Sequence, residues 1–296
     1  MRISRLPSRS SAARVAAYRE YRPSRLRGWL PRGAPFAAQE AGLQSLTVDV
    51  GAGEQRRVCI IVPSGYQPDR AWPLIYALHP SGQPAEEWAI EMQRMLGTRA
   101  REFLIASPEY RQNDIGAEPP FVPEHAAILD AVARRVHVDA ARLYPFGCSK
   151  GGFGAWFVSL YCADRVAGAI SIAAGFDVAP DDDGFWRLFV PNIAHIPVFN
   201  TWGERDALII RGLDNKPIET FAESNRRFER EVRGMRTPII NLEVPGGGAH
   251  STGAASRSYR RRPGGAAQRG PQTPDAYLPA PAPGFVLLAR GTQLGG

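Results

Sequence analysis

Gly147-Cys148-Ser149-Lys150-Gly151 sets a serine between two glycines at a spacing that nucleophilic catalysis uses. A serine hydroxyl is too weakly acidic to attack a carbonyl carbon unaided. It needs a base within hydrogen-bond reach and a third group that orients the base. In a nucleophile elbow the serine occupies a strained turn between strand and helix, and glycine is needed two residues to either side because a Cβ there meets packed backbone. The pattern alone is weak, since glycine and serine are common. Its surroundings strengthen it: the apolar run Leu143–Phe146 ends just before it, and a helix-like run begins at Gly151. The competing reading is an ordinary glycine-rich strand–helix turn.

The partners of such a serine can be sought by residue type. Five histidines are available: His79, His125, His137, His195 and His250. His250 follows the loop Pro245-Gly-Gly-Gly-Ala249 after the last strand-like segment, and it alone combines a late position, a strand-end loop and a chain order of serine, acid, histidine. Asp206, in Trp202-Gly203-Glu204-Arg205-Asp206, is the acid that would hold the imidazole tautomer, with Glu204 as its near rival. Asp181–Asp183 and Asp214 read as surface turn residues. An oxyanion must be met by backbone N–H donors. Lys150, the residue after the serine, supplies one. The loop His79-Pro80-Ser81-Gly82-Gln83 supplies the other, and because proline has no N–H the donor is Ser81, with Gly82 second. A plain strand-terminating turn is the alternative there.

These residues need a scaffold. Leu46–Val50 alternates, and Val58–Val62 follows as a second strand. Leu74–Leu78 is a continuous apolar run of the kind found in a buried central strand. Helix-like segments at Glu86–Arg99, Glu124–Val136, Gly151–Cys162 and Ile218–Val232 then alternate with strand-like Phe103–Ala106, Leu143–Phe146, Ala169–Ala173, Val198–Thr201 and Ile239–Val244. Such alternation implies an α/β domain with a mostly parallel central sheet and helices on both faces. Ligand sites in such sheets lie beyond the carboxyl ends of the strands. The loops after Leu78, Phe146, Thr201 and Val244 therefore become the places to look, and the candidate residues fall on them.

The 296 residues allow one large domain. The net charge of +7 is unevenly spread. Residues 1–33 carry nine arginines and one acid, and residues 251–296 carry six arginines and one acid. The stretch 34–250 holds 21 basic and 27 acidic residues, so the body is mildly acidic. We expect 1–40 to be an Arg-rich disordered extension, 41–250 the catalytic domain, and 251–296 a disordered tail rich in Arg, Gly and Pro. Basic ends can bind nucleic acid or anionic membrane, but these lack interleaved aromatics and an amphipathic pattern, which argues against nucleic acid. The three cysteines have no metal-site spacing and are odd in number, which fits a reducing compartment. No apolar run is long enough for a transmembrane span, and no signal-peptide core is visible, so a cytoplasmic location is expected. The sequence does not fix an oligomeric state.

Taken together, these motifs resemble a known family. Leu78-His79-Pro80-Ser81-Gly82-Gln83 is similar to an LHGxGQ oxyanion loop. His137-Val-Asp139-Ala-Ala-Arg142-Leu-Tyr144, followed by Gly147-Cys-Ser149-Lys-Gly-Gly-Phe-Gly-Ala-Trp156, resembles a VDxxRxYxxGxSxGGxGxW block. With Trp202–Asp206 and Pro245–His250 they resemble the esterase and polyester-depolymerase-like branch of the α/β-hydrolases, near feruloyl esterases and S9-type peptidases. The resemblance covers about residues 46–250. It implies the α/β-hydrolase fold, a Ser149–Asp206–His250 triad, no cofactor or metal, and a small-molecule or polymeric carboxylic ester as substrate. A peptidase or amidase activity is the alternative. Two rival classes are a catalytically weak binding protein on the same fold and an adaptor that uses the Arg-rich ends. The sequence departs from the family at Pro80, where glycine is usual. It departs again after His250, where Ser251–Pro263 does not read as the sheet-covering helix expected there. An altered reading frame past His250 or a natural disordered tail would each give that composition, and loss of the helix would expose apolar surface.

Overall fold

The computed structural model describes residues 36–51, 53–109, 121–176, 189–211, 217–235 and 237–248. The expectations for residues 1–35 and for the tail 251–296 lie outside the described residues, as does His250.

In chain order the strands are β1 (Gly42–Gly51), β2 (Glu54–Val62), β3 (Trp72–Leu78), β4 (Leu104–Pro108), β5 (Val138–Cys148), β6 (Ala169–Ile172), β7 (Val198–Gly203), β8 (Ile209–Arg211), β9 (Pro217–Thr220) and β10 (Ile239–Val244). The helices are α1 (Ala85–Leu96), α2 (Phe121–Arg135), α3 (Lys150–Tyr161) and α4 (Phe221–Val232). An eight-stranded sheet runs in the order β1-β2-β4-β3-β5-β6-β7-β10. β1, β2 and β4 pair antiparallel, while β4, β3, β5, β6, β7 and β10 pair in parallel.

Burial explains these strands. Every residue of β3 and of β4 is buried, as central strands of a sheet covered on both faces are. Along β3 the side chains divide with period two. Leu74, Tyr76 and Leu78 join Ile128 and Leu129 of α2, Trp156 of α3 and Phe228 of α4 in one core. Ile75 and Ala77 join Trp88 and Met92 of α1 in the other. β1 alternates between half-buried and exposed residues, as an antiparallel edge strand with one wet face does.

The elements expected from the sequence are present with shifted ends. β5 begins at Val138, ahead of the apolar run, because its first residues are half-exposed and carry no apolar signal. The helix expected from Ile218 begins at Phe221 instead. Thr220 stops it there: its hydroxyl accepts the Glu223 N–H at 3.2 Å, and the Glu223 carboxylate accepts the Thr220 N–H at 2.8 Å, a capping box. Ile218 lies instead in β9, which pairs with β8 in a two-stranded ribbon that the sequence pattern did not reveal. Phe36 stacks on His137 with ring centroids 4.5 Å apart, so contact with the body begins before residue 41.

At the far edge, Asn241 and Glu243 of β10 bond Asn200 and Arg226, which fixes the face that α4 covers. Ile240 and Leu242 alternate onto the other face and are exposed.

Candidate active site

β5 ends at Cys148, α3 begins at Lys150, and Ser149 sits between them with φ 52° and ψ −119°. A residue bearing a side chain is strained in that region and stays there only where its surroundings over-determine it. They do so here. The Ser149 N–H donates to the Ile172 carbonyl at 2.8 Å, extending the β5–β6 ladder by one residue. The Ser149 carbonyl accepts the N–H groups of Gly152 at 2.8 Å and Phe153 at 3.2 Å.

The glycine requirement read from the sequence has a direct geometric cause. A Cβ on Gly147 would lie 1.8 Å from the Gly151 carbonyl oxygen, and one on Gly151 would lie 1.9 Å from the Leu78 carbonyl oxygen. The second contact also joins the turn to the end of β3, where the His79–Gln83 loop departs. Leu78 pairs with Gly147 in the sheet, so the two loops leave neighbouring strands side by side. Lys150 is buried, and it is the first residue of α3, where helix amides point outward along the axis.

The His79–Gln83 loop makes a tight turn. The Gln83 N–H reaches the Pro80 carbonyl at 3.4 Å, and Gly82 has φ +77°, the left-handed conformation a type II turn demands at its third position. Ser81 and Gly82 are exposed. His79 is buried, and its Nδ1 bonds the Pro80 carbonyl at 2.9 Å. Burial lowers the His79 pKa, opposed by that bond and by the charge of Glu109, while the Lys150 charge lowers it further.

The two carboxylates that follow β7 have different surroundings. Asp206 is 1% exposed, and Glu204 is exposed. Asp206 Oδ1 accepts the Leu208 N–H at 3.2 Å. Its charge reaches Cys148, the neighbour of Ser149: burial first, and then Asp206, push the Cys148 thiol up to about 12. Cys148 is therefore no thiolate competitor to the serine. Glu204 instead accepts the Gly246 N–H at 2.6 Å. It thereby pins the loop after β10, the loop that leads toward position 250. That loop is joined to the Asp206 loop by further backbone bonds, Arg205 N–H to Gly247 at 2.7 Å and Glu204 N–H to Val244 at 3.0 Å. Gly203 is needed because a Cβ there would lie 2.4 Å from the Gly247 carbonyl oxygen. Close approach of the next loop is thus the physical reason for a glycine at this position.

The remaining histidines have other settings. His125 is buried and bonds the Tyr76 hydroxyl at 2.5 Å, and burial lowers its pKa to about 3. His137 Nδ1 bonds the Pro68 carbonyl at 2.9 Å, and His195 is exposed. The structure brings Ser149, Lys150 and the Ser81 loop together at the ends of β3 and β5, and it places Asp206 at the end of β7 beside the loop after β10. Sequence reasoning missed Ala173, whose φ of 49° bends the chain just after the Ile172 carbonyl that holds Ser149, and it missed Glu109. Neither residue type signals such a position. Among the described residues, no group of three or more His, Cys, Asp and Glu side chains could hold a metal ion.

This mostly parallel eight-stranded sheet flanked by helices has the α/β-hydrolase fold. It is similar to feruloyl esterase B of Piromyces equi, 25% identical over 191 residues that make up 59% of this chain and 34% of that protein. The chain thus spans about a third of the length of that relative. Among solved structures it resembles a thermostable esterase, with a TM-score of 0.53 and 19% identity over 69% of this chain and 55% of the other. It also resembles the fluorophosphonate-binding serine hydrolase F of Staphylococcus aureus, with a TM-score of 0.54 and 14% identity over 71% and 92%. No protein-family model matches the chain.

Proposed function

We propose that the chain is a serine hydrolase that cleaves carboxylic esters through an acyl-enzyme. Ser149 Oγ attacks the ester carbonyl while His250 takes its proton. Asp206 orients the imidazole and stabilises its charged form. The N–H groups of Lys150 and Ser81 receive the oxyanion. The tetrahedral intermediate collapses as His250 returns the proton to the departing alcohol. Water, deprotonated by the same histidine, then releases the acid.

The observation that carries this reading is the strained backbone of Ser149 between glycines that no other residue could replace. Strain of this kind is retained where the residue works. Burial favours Asp206 over Glu204 as the acid. His250 is favoured because the other four histidines are otherwise engaged or remote, and because it follows the loop after β10 that is bonded to the Asp206 loop. The named relatives act as feruloyl esterases and esterases, so the substrate proposed is a carboxylic ester with an aromatic acyl group, such as methyl ferulate.

A fluorophosphonate probe, followed by mapping of the modified peptide, tests the assignment. Label on Ser149, with turnover of methyl ferulate faster than of a matched anilide, is the expected result. Label on another residue, or no label on folded protein, would sink the proposal. Faster anilide turnover would move the substrate class to amides while keeping the nucleophile.

A further inference from the structure

Glu109 stands one residue beyond β4 and has no part in the reaction described above. Its own backbone is fixed, with the N–H donating to the Arg57 carbonyl of β2 at 2.8 Å. Its carboxylate meets both ends of the loop that carries Ser81. At the far end, Oε1 accepts the Ala85 N–H at 3.0 Å. At the near end, Oε2 lies 3.7 Å from His79 Nε2, within ion-pair reach when the imidazole is protonated.

The Ala85 end calls for such a partner. α1 starts at Ala85 behind an N-cap of Pro84, which makes no side-chain cap. The first amides of a helix have no intrahelical acceptor, and the N-terminal end of the helix dipole favours a negative charge. A carboxylate from another strand therefore makes a charge-assisted bond where the local sequence supplies none. At the other end, His79 is buried and tied by Nδ1 to the Pro80 carbonyl. Between these anchors the loop has one long turn bond, Gln83 N–H to Pro80 at 3.4 Å, and Ser81 and Gly82 are exposed. The elbow opposite is fixed by backbone contacts on every side. Of the two sides of the oxyanion hole, the Ser81 side depends on its ends for its position.

We infer that Glu109 is a positioning residue for the oxyanion hole: it clamps the 79–84 loop through the Ala85 N–H, with its other oxygen beside His79, so that the Ser81 N–H faces the Lys150 N–H across the substrate carbonyl oxygen. The inference rests on the serine hydrolase reading. Loss of one oxyanion donor typically costs about 10²–10³-fold in kcat, and a displaced donor costs part of that.

The experiment uses the full chain and three variants. Glu109→Ala removes the clamp. Glu109→Gln keeps an acceptor for the Ala85 N–H. Ala85→Pro removes that N–H while leaving the carboxylate intact. Proline suits a first helical position, and Pro84 already has ψ 148°, the extended conformation proline demands of its predecessor. The readouts are kcat and KM on a p-nitrophenyl ester, affinity for a trifluoromethyl ketone that adds to Ser149, and affinity for the product carboxylic acid. We expect Glu109→Ala and Ala85→Pro to lower kcat about 10–100-fold with KM changed less than about twofold. Ketone affinity should fall by the same factor while acid affinity holds, and Glu109→Gln should stay within about fivefold of wild type. Unchanged ketone affinity in either of the first two, or an equal fall in ketone and acid affinity, would overturn the clamp. If Glu109→Ala does not fold, Ala85→Pro decides alone. A wild-type chain that neither binds the ketone nor reacts with fluorophosphonate would fail the parent reading instead.

Discussion

The backbone conformation at Ser149 costs a residue with a Cβ about 1–3 kcal/mol relative to relaxed geometry, and glycine would largely escape that cost. Function and stability therefore oppose each other at this position. Ser149→Ala keeps the strain and removes the nucleophile, so it should fold as wild type and lose about 10⁴–10⁶-fold in kcat. Ser149→Gly should be equally inactive and about 1 kcal/mol more stable, read as a higher urea midpoint at unchanged slope. A Ser149→Ala variant that hydrolyses p-nitrophenyl esters at the wild-type rate would remove Ser149 from the mechanism. The two carboxylates after β7 divide just as sharply. Asp206→Asn keeps the shape but favours the wrong imidazole tautomer and should cost up to about 10⁴-fold in kcat. Glu204→Gln weakens one bond to the Gly246 N–H from charge-assisted to neutral, worth roughly tenfold or less. The reverse ranking in a rate assay would transfer the role to Glu204. Sequence alone could only rank this pair, since both follow the same strand three residues or fewer beyond Gly203; burial separates them, and burial depends on the fold.

At the scale of elements, the site is assembled by close approach of turns rather than by side chains. Gly151 lets the start of α3 press on the end of β3, and Gly203 lets the loop after β10 press on the end of β7. Neither obstruction is a movable side chain, so an added methyl must displace main chain. Gly151→Ala should therefore cost at least about 1–3 kcal/mol and should depress kcat further by shifting Leu78 and the loop it leads into. Gly65→Ala, where a Cβ meets nothing within 4 Å, is the matched control and should stay within about 0.5 kcal/mol. Equal urea midpoints for the two variants would mean that the turn is not packed as described. The glycine spacing, the buried strands β3, β4 and β7, and the order of loops were all legible in the sequence, because each follows from local pattern. The exposed half of β5 and the β8–β9 ribbon were not, because short or half-wet strands leave no apolar periodicity. The helix start at Phe221 is set by the Thr220–Glu223 capping box rather than by the apolar Ile218, on which the expected start was placed. Glu109 left no trace at all, since its partners His79 and Ala85 are brought to it only by the pairing of β2, β3 and β4.

At the scale of the whole molecule, the buried imidazole of His125 ties stability to pH. It projects from α2 onto β3, fully enclosed, with its Nδ1 on the Tyr76 hydroxyl at 2.5 Å. Its neighbour Glu124 is committed to Arg56 at 2.6 Å. Burial holds the folded pKa near about 3, against an ordinary value of 6.5. Between those values the unfolded chain binds a proton that the folded chain refuses. Stability therefore rises with pH across this window, and it is lost as pH falls below 6.5, at about 1.4 kcal/mol per pH unit well inside the window. From pH 7 to pH 5 the loss from this one residue is about 2 kcal/mol. His79, also lowered by burial, adds in the same direction. Asparagine at position 125 can accept the Tyr76 hydroxyl without titrating. His125→Asn should be less stable than wild type at pH 7, because it leaves unfilled volume in a closed core. Its stability should then fall by about 2 kcal/mol less than that of wild type between pH 7 and pH 5, measured by urea unfolding at both pH values. The two curves would run parallel if the folded imidazole titrated as the unfolded one does, near the ordinary value of 6.5, and that outcome would refute a His125 held neutral by burial.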